Sequence, residues 1–228
     1  MDARRAAVAF VLVIVSCYLF ISDLSGNFIE DSERKRGIGP TSRVLLQSTV
    51  PESTALAQTL YDSEQDAYIV KKTEEFQAVL LANTNGGTTD NWKMILKGDV
   101  IGAGPYIFTD EVPEVEVQGA CPDRDCIVNF NGRMGFNVKS GVQLTMSNLT
   151  LMNAYTPSSG AAINLAPKAT LFLTQTTFKT NVAKGFGGAM YLAGQATFFN
   201  VFFKHNQAVT EEANDVFLAR TGEIVVPY

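Results

Sequence analysis

Apolar and polar residues alternate in short runs along the last third of the chain, and the runs recur in a fixed order. Ala169-Thr170-Leu171-Phe172-Leu173 leads to Phe178-Lys179-Thr180-Asn181 and then to Gly187-Gly188-Ala189-Met190-Tyr191-Leu192. One repeat earlier stand Val142-Gln143-Leu144-Thr145-Met146, Leu149-Thr150-Leu151-Met152-Asn153 and Gly160-Ala161-Ala162-Ile163-Asn164-Leu165. One repeat later stand Ala196-Thr197-Phe198, Phe203-Lys204-His205-Asn206 and Asn214-Asp215-Val216-Phe217-Leu218. The asparagines recur after 181−153 = 28 and 206−181 = 25 residues, and the glycine motif after 187−160 = 27. Short period-two strands repeating at this interval, with no helical pattern between them, predict a β-solenoid.

Within such a coil the alternating positions Leu171, Leu173 and Phe178, with Ala196, Phe198 and Phe203 one coil on, are expected to stack into the core. Asn153, Asn181 and Asn206 close the strands. Asparagine tolerates the left-handed backbone of a sharp corner, and its amide can bond its counterpart one coil away, so these three are read as a structural ladder. Gly-Gly-Ala lets the backbone pass close to a neighbouring coil.

Upstream, Trp92 to Lys97, Tyr106 to Phe108, Val115 to Gly119 and Cys126 to Phe130 read as further short strands, and Glu223 to Val226 as a last one. Together they predict about five coils within residues 71–228. Ahead of them, Thr73 can cap a helix opened by Glu74 and Glu75, with Phe76, Val79 and Leu80 on one face and Asn83 to Gly87 as its stop. This amphipathic helix is expected to cover the open first coil. The last strand carries no polar cap, so a partner or a second copy is expected against it.

Phe178-x-x-Asn181 followed by Gly187-Gly188-Ala189-Met190, and Phe203-x-x-Asn206, resemble the FxxN and GGA[ILV] repeats of polymorphic outer-membrane proteins and of related eukaryotic surface proteins. Those repeats belong with the pectin-lyase-like right-handed parallel β-helices. The resemblance spans residues 140–220 and more loosely everything from Thr73. It implies an all-β, right-handed parallel β-helix with an N-terminal helical cap, and an adhesin-like role. Gly160-Ala161-Ala162 lacks the second glycine, Glu212-Ala213-Asn214-Asp215 replaces the glycines, and no membrane β-barrel follows, so an autotransporter mechanism is not implied.

The N-terminus carries Arg4 and Arg5 and then sixteen uncharged residues, Ala6 to Ile21 (21−6+1 = 16). As a helix this run reaches about 24 Å against a hydrocarbon core of about 30 Å, so residues 1–26 read as either a cleaved export signal or a single-pass anchor. Arg4 and Arg5 would stay cytoplasmic, placing the rest of the chain outside the cytosol. Residues 27–70 are polar and irregular, with Glu30 to Arg36 as a mixed charge run, and read as a stalk or linker, within which Pro51-Glu52-Ser53 followed by Thr54 to Tyr61 reads as a short helix.

With 18 basic against 23 acidic residues, a net charge of -5 offers no stripe for phosphates, which excludes nucleic acid as a partner. One His and 3 Cys supply no zinc set, so neither metal nor cofactor is expected. Cys121 and Cys126 lie close enough to close a small disulfide loop, which suits an oxidising compartment. Asn148-Leu149-Thr150 is a glycosylation sequon.

Between the cysteines, Asp123, Arg124 and Asp125 are the one dense charged group: a solvated loop tip, or the acid–base set of an enzyme cleaving acidic polysaccharide. His205 occupies the place of Thr180 and reads as a surface residue. Trp92, Phe172, Phe199 and Phe202 read as core or inter-coil packing rather than a sugar-stacking face. The expected function is therefore non-catalytic surface recognition of glycans or proteins, with polysaccharide cleavage as the alternative.

Overall fold

The computed structural model describes residues 52–84, 91–102, 104–210 and 213–226. Residues 1–51 lie outside the described residues, and with them the expected signal or anchor of residues 1–26. Residues 52–70, expected within the polar stalk, are part of the folded body. Helix α1 (Glu52–Leu60) packs on α2 (Thr73–Thr84), and between them a hairpin of β1 (Tyr61–Asp62) and β2 (Ala67–Val70) lays β2 parallel to the first coil. Helix α1 falls where a short helix was expected, and Ala57 in it, with Ala67 and Val70 in β2, buries its side chain.

The rest is a parallel β-solenoid of about five turns. Three sheets run along it. The longest joins β3 (Asn91–Leu96), β6 (Glu114–Gly119), β9 (Gln143–Met152), β12 (Thr170–Lys179), β15 (Gln195–Lys204) and β18 (Glu223–Val225), with β4 (Val100–Ile101) and β7 (Cys126–Asn129) beside them. The second joins β5 (Tyr106–Phe108), β8 (Phe136–Val138), β11 (Ile163–Leu165), β14 (Met190–Leu192) and β17 (Val216–Leu218). A third, narrow one joins β10 (Tyr155–Thr156), β13 (Val182–Ala183) and β16 (Gln207–Ala208). Parallel pairing sets each side chain on its counterpart, as Leu144, Leu171 and Ala196 do in one column and Leu151, Phe178 and Phe203 in another. The Phe178 and Phe203 rings stack at 5.3 Å and 17°. The core thus grows by one layer per coil, and α2 adds Phe76, Val79 and Leu80 to it at the N-terminal end.

Two polar columns hold the corner after the long strands, and they correct the expected ladder. Asn181 and Asn206 are buried in one column, and Asn153 stands one residue out of step in its neighbour. In the buried column each amide reaches back one coil. Asn181 Oδ1 accepts the Ala154 N–H at 2.9 Å, and its Nδ2 donates to the Leu151 carbonyl at 3.1 Å. Asn206 repeats both bonds on the Asn181 N–H and the Phe178 carbonyl.

In the outer column Asn153 Nδ2 donates to Asn129 Oδ1, and the Thr180 hydroxyl donates to Asn153 Oδ1. The left-handed backbone belongs to this outer column, at Asn153 (φ 56), Thr180 (φ 51) and His205 (φ 55), and not to Asn181 and Asn206. The ladder ends where Asn206 Nδ2 donates to Asp215 and the Ala208 N–H donates to Asn214 Oδ1. This is why Asn214-Asp215 departs from the glycine motif.

That motif has a steric cause elsewhere. A Cβ on Gly187 (φ 64) would lie 1.9 Å from the Met190 carbonyl oxygen, and one on Gly188 2.2 Å from the Asn214 oxygen.

At the C-terminal end β18 pairs only with Gln195 to Thr197, so Phe198 to Lys204 of β15, paired with β12 on one side, have no strand on the other among the described residues. Phe199 and Phe202 are exposed there, and Phe198, Val201 and Phe203 only partly buried.

Two outcomes are expected. Asn181→Leu strands the Ala154 N–H and Leu151 carbonyl without partners, at about 1–3 kcal/mol for each. Urea unfolding should show a much lower midpoint than for Asn153→Ala, whose column is not buried. An unpaired apolar edge also templates association, so light scattering should find the mass rising with concentration, and less so in Val201→Lys.

Candidate functional site

The long strands of the last coils do not alternate without interruption. Asn148 (φ 55) in β9, Gln175 (φ 47) in β12 and Asn200 (φ 54) in β15 form a left-handed bend, one above the other. A residue in this conformation breaks the period of two, so side chains on its two sides change parity. In β15, Ala196 is buried and Phe199, Asn200 and Phe202 all face outward.

In the coil below β9 the single bend residue is replaced by a loop. Gln118 pairs with Ser147 and Cys126 with Leu149, so residues 119–125 leave and rejoin the sheet opposite Asn148 alone. Gly119 permits this, since a Cβ there would lie 2.0 Å from the Asn148 carbonyl oxygen. Cys121 and Cys126 close the loop by a disulfide, with Cα atoms 5.2 Å apart.

A second tie comes from one coil below. Asp99 accepts both Arg124 guanidinium nitrogens, at 2.9 and 2.8 Å, and its Oδ1 also accepts the Ile127 N–H at 2.9 Å. Arg124 further donates to the Asp125 carbonyl. Its hydrogen bonds hold the Asp99 carboxyl below the usual aspartate range, with the Arg124 guanidinium as the main cause, and Asp99 in turn raises Arg124. The structure therefore separates the candidate charged triplet. Arg124 turns back to Asp99 as a clamp, Asp123 (φ 62) sits at the loop turn, and Asp125 faces the outer surface of the sheet.

There Asp125 joins Gln175, Thr177, Asn200, Phe202 and Lys204 around a shallow groove of about 520 Å³. Gln175 and Asn200 are the bend residues, and Thr177 pairs with Phe202 across adjacent strands. Phe172, Phe199 and Phe202 are exposed by 37%, 52% and 56%, so they form an outward aromatic face and not the expected core packing. Trp92, at 3%, is buried as expected.

Asn148 stands half-buried at the bend, between the loop and Gln175, with Thr150 outward two residues on. His205 is exposed at its corner. Among the described residues no three His, Cys, Asp or Glu side chains gather as a metal set.

Asp99, Gln175, Asn200 and Lys204 did not stand out in the sequence. Asp99 was traceable in principle, because it precedes Arg124 by 25 residues, one coil period. The comparisons with known proteins add nothing to this geometry: no family model, no curated protein and no solved structure matches the chain.

The clamp has a pH dependence of defined sign. A carboxylate held below its unfolded value of about 3.9 supports the fold above that pH and loses the support as pH falls through the folded value. The Ile127 amide signal should therefore shift only at pH below the ordinary aspartate range, and Asp99→Asn should abolish the shift. Replacing both cysteines with serine should lower unfolding stability by about 2 kcal/mol through the freed loop, read from denaturant curves.

Proposed function

We propose that the chain is a non-catalytic, extracytoplasmic recognition protein that binds a glycan in the groove beside the disulfide loop. The observation that carries this reading is the exposed Phe202 ring set among the Gln175 and Asn200 amides, the Thr177 hydroxyl, Lys204 and Asp125. A sugar presents an apolar C–H face and a ring of hydroxyls. An aromatic ring covers the first, and planar amides with both donors and acceptors match the second. Held on a sheet and by a stapled loop, these groups lose little freedom on binding.

The catalytic alternative has less to draw on, because Arg124 is engaged by Asp99 and Asp123 stands on the turn. The FxxN and Gly-Gly-Ala repeats support kinship with the polymorphic outer-membrane repeats and a right-handed, pectin-lyase-like coil. The apolar run Ala6 to Ile21 and the Cys121–Cys126 disulfide support export, whether the run is cleaved or retained as an anchor. The sequon at Asn148 bears on the same surface. Asn148 stands in the column between the loop and Gln175, so a glycan attached there would occupy the groove, and modification and recognition at this face exclude each other.

Binding to a panel of immobilised neutral and acidic glycans tests the proposal. The chain should retain at least one of them, with affinity at least tenfold lower in Phe202→Ala and Gln175→Ala at unchanged circular dichroism. Incubation with acidic polysaccharides and calcium should release no new reducing or unsaturated ends. Cleavage that disappears in Asp125→Ala would overturn the reading in favour of an enzyme.

A further inference from the structure

At the opposite end of the solenoid a second cavity, of about 310 Å³, lies between α2 and the first coil. Leu80 from the helix and Trp92, Tyr106, Phe108 and Val112 from the coil form much of its wall. These five side chains are all buried.

Two facts about this wall belong together. Among the described residues, Trp92 Nε1 and the Tyr106 hydroxyl are buried side-chain polar atoms whose protons meet no acceptor in hydrogen-bond geometry, although the Gly104 backbone N–H lies near the Tyr106 oxygen and works against the rise in pKa that burial causes there. Both residues line this one cavity. Buried polar groups are nearly always paired, and an unpaired one costs about 1–3 kcal/mol. Two such groups on one wall point to a missing acceptor.

The chemistry of that acceptor is constrained. The indole N–H donates only, and burial raises the Tyr106 hydroxyl well above its ordinary value, so it too stays a donor at neutral pH. A trapped water would accept from both donors, but its own hydrogens would then need acceptors, and the other buried side chains of the wall, Leu80, Phe108 and Val112, offer none, which leaves the half-buried Thr109 and the exposed Gln77 as the polar side chains lining the rest. An anion is also disfavoured, because no Lys, Arg or His lines the cavity and a bare charge is costly to bury. The volume lies at the lower end of the range for small-molecule sites, about 300–1,000 Å³.

We infer that the cavity between the N-terminal helix and the first coil binds a small, uncharged, largely apolar molecule through a carbonyl or ether oxygen that accepts from Trp92 and Tyr106. This site is separate from the groove at the disulfide loop and stands or falls without it. Ile107, exposed at the mouth, sits where such a molecule would enter.

The chain has 1 Trp, so its indole proton is a direct reporter of the site. The full chain, labelled with ¹⁵N at tryptophan, is titrated with 2-acetonaphthone, an uncharged aromatic ketone. The expected result is a saturable downfield shift of the single indole N–H signal, with slower exchange against solvent. Tyr106→Phe should weaken the interaction at least threefold, and Ile107→Phe, which narrows the mouth at an exposed position, at least tenfold.

Three results would overturn the inference. One is an indole signal that stays in place up to the solubility limit of the ketone. Another is an equal shift in wild type and both variants, which would show that neither the Tyr106 hydroxyl nor the mouth at Ile107 takes part in binding. The third is a cross-peak between the indole proton and bound water before any ketone is added, which would make water the acceptor.

Discussion

A chain that turns a corner several times per coil leaves backbone groups at each corner with no strand to bond them, and the buried asparagine column supplies what is missing. Asn181 and Asn206 each spend an amide oxygen on an N–H and an amide nitrogen on a carbonyl of the coil before. These bonds fix the distance between coils and their rotational register at once, so the apolar columns meet like on like. The stacking of Phe178 on Phe203 and the burial of Leu171 on Leu144 presuppose that register. A slip by one residue would turn every core side chain outward.

The same register places the surface. Because Asn148, Gln175 and Asn200 bend at one height, everything after the bend is displaced in parity by one residue in three successive coils. Residues far apart in sequence are thereby aligned into one outward band, with the stapled loop at its lower end. The loop departs and returns within one residue of the coil above, and the sheet continues past it undisturbed. A variable loop can thus be carried on a repetitive body, which is how rigid scaffolds commonly present binding residues.

What the sequence made legible follows from what repeats. Strand positions, the Phe and Leu core columns and the glycine steric sites all recur at the coil period, and each has a one-residue cause such as the close approach at Gly187. Legibility failed where the cause was not periodic. Asn153 looks equivalent to Asn181 because both follow a long strand, yet the corner advances by one residue between those coils, and Thr180 takes the left-handed place. Phe202 falls in phase with Ala196 and Phe198 in an unbroken period-two pattern, and the bend at Asn200 turns it out, whereas Phe199 lies before the bend and faces outward by the period itself. The helix after Pro51 was legible, but the hairpin of residues 61–70 carries too few apolar positions to announce itself, although Ala67 and Val70 are buried. The Asp99–Arg124 clamp is a single long-range pair and repeats nowhere.

The two ends of the solenoid solve one problem differently, and the difference bears on where this molecule can make contacts. Any coil end exposes a strand edge and a layer of core side chains. At the N-terminal end α2 lays Phe76, Val79 and Leu80 over that layer, with the Phe76 ring meeting Tyr106 edge-on at 5.1 Å. A helix cannot reproduce the flat contour of a coil, and the mismatch is the cavity that leaves the Trp92 and Tyr106 protons without an acceptor. At the C-terminal end Asn214 and Asp215 terminate the polar ladder, but β18 covers only the first three residues of β15. The polar column is finished there and the apolar edge is not, so the residual stickiness concentrates on Phe198 to Phe203. These side chains adjoin the groove through Phe202. Contacts made at the edge and contacts made in the groove must therefore compete for one aromatic ring.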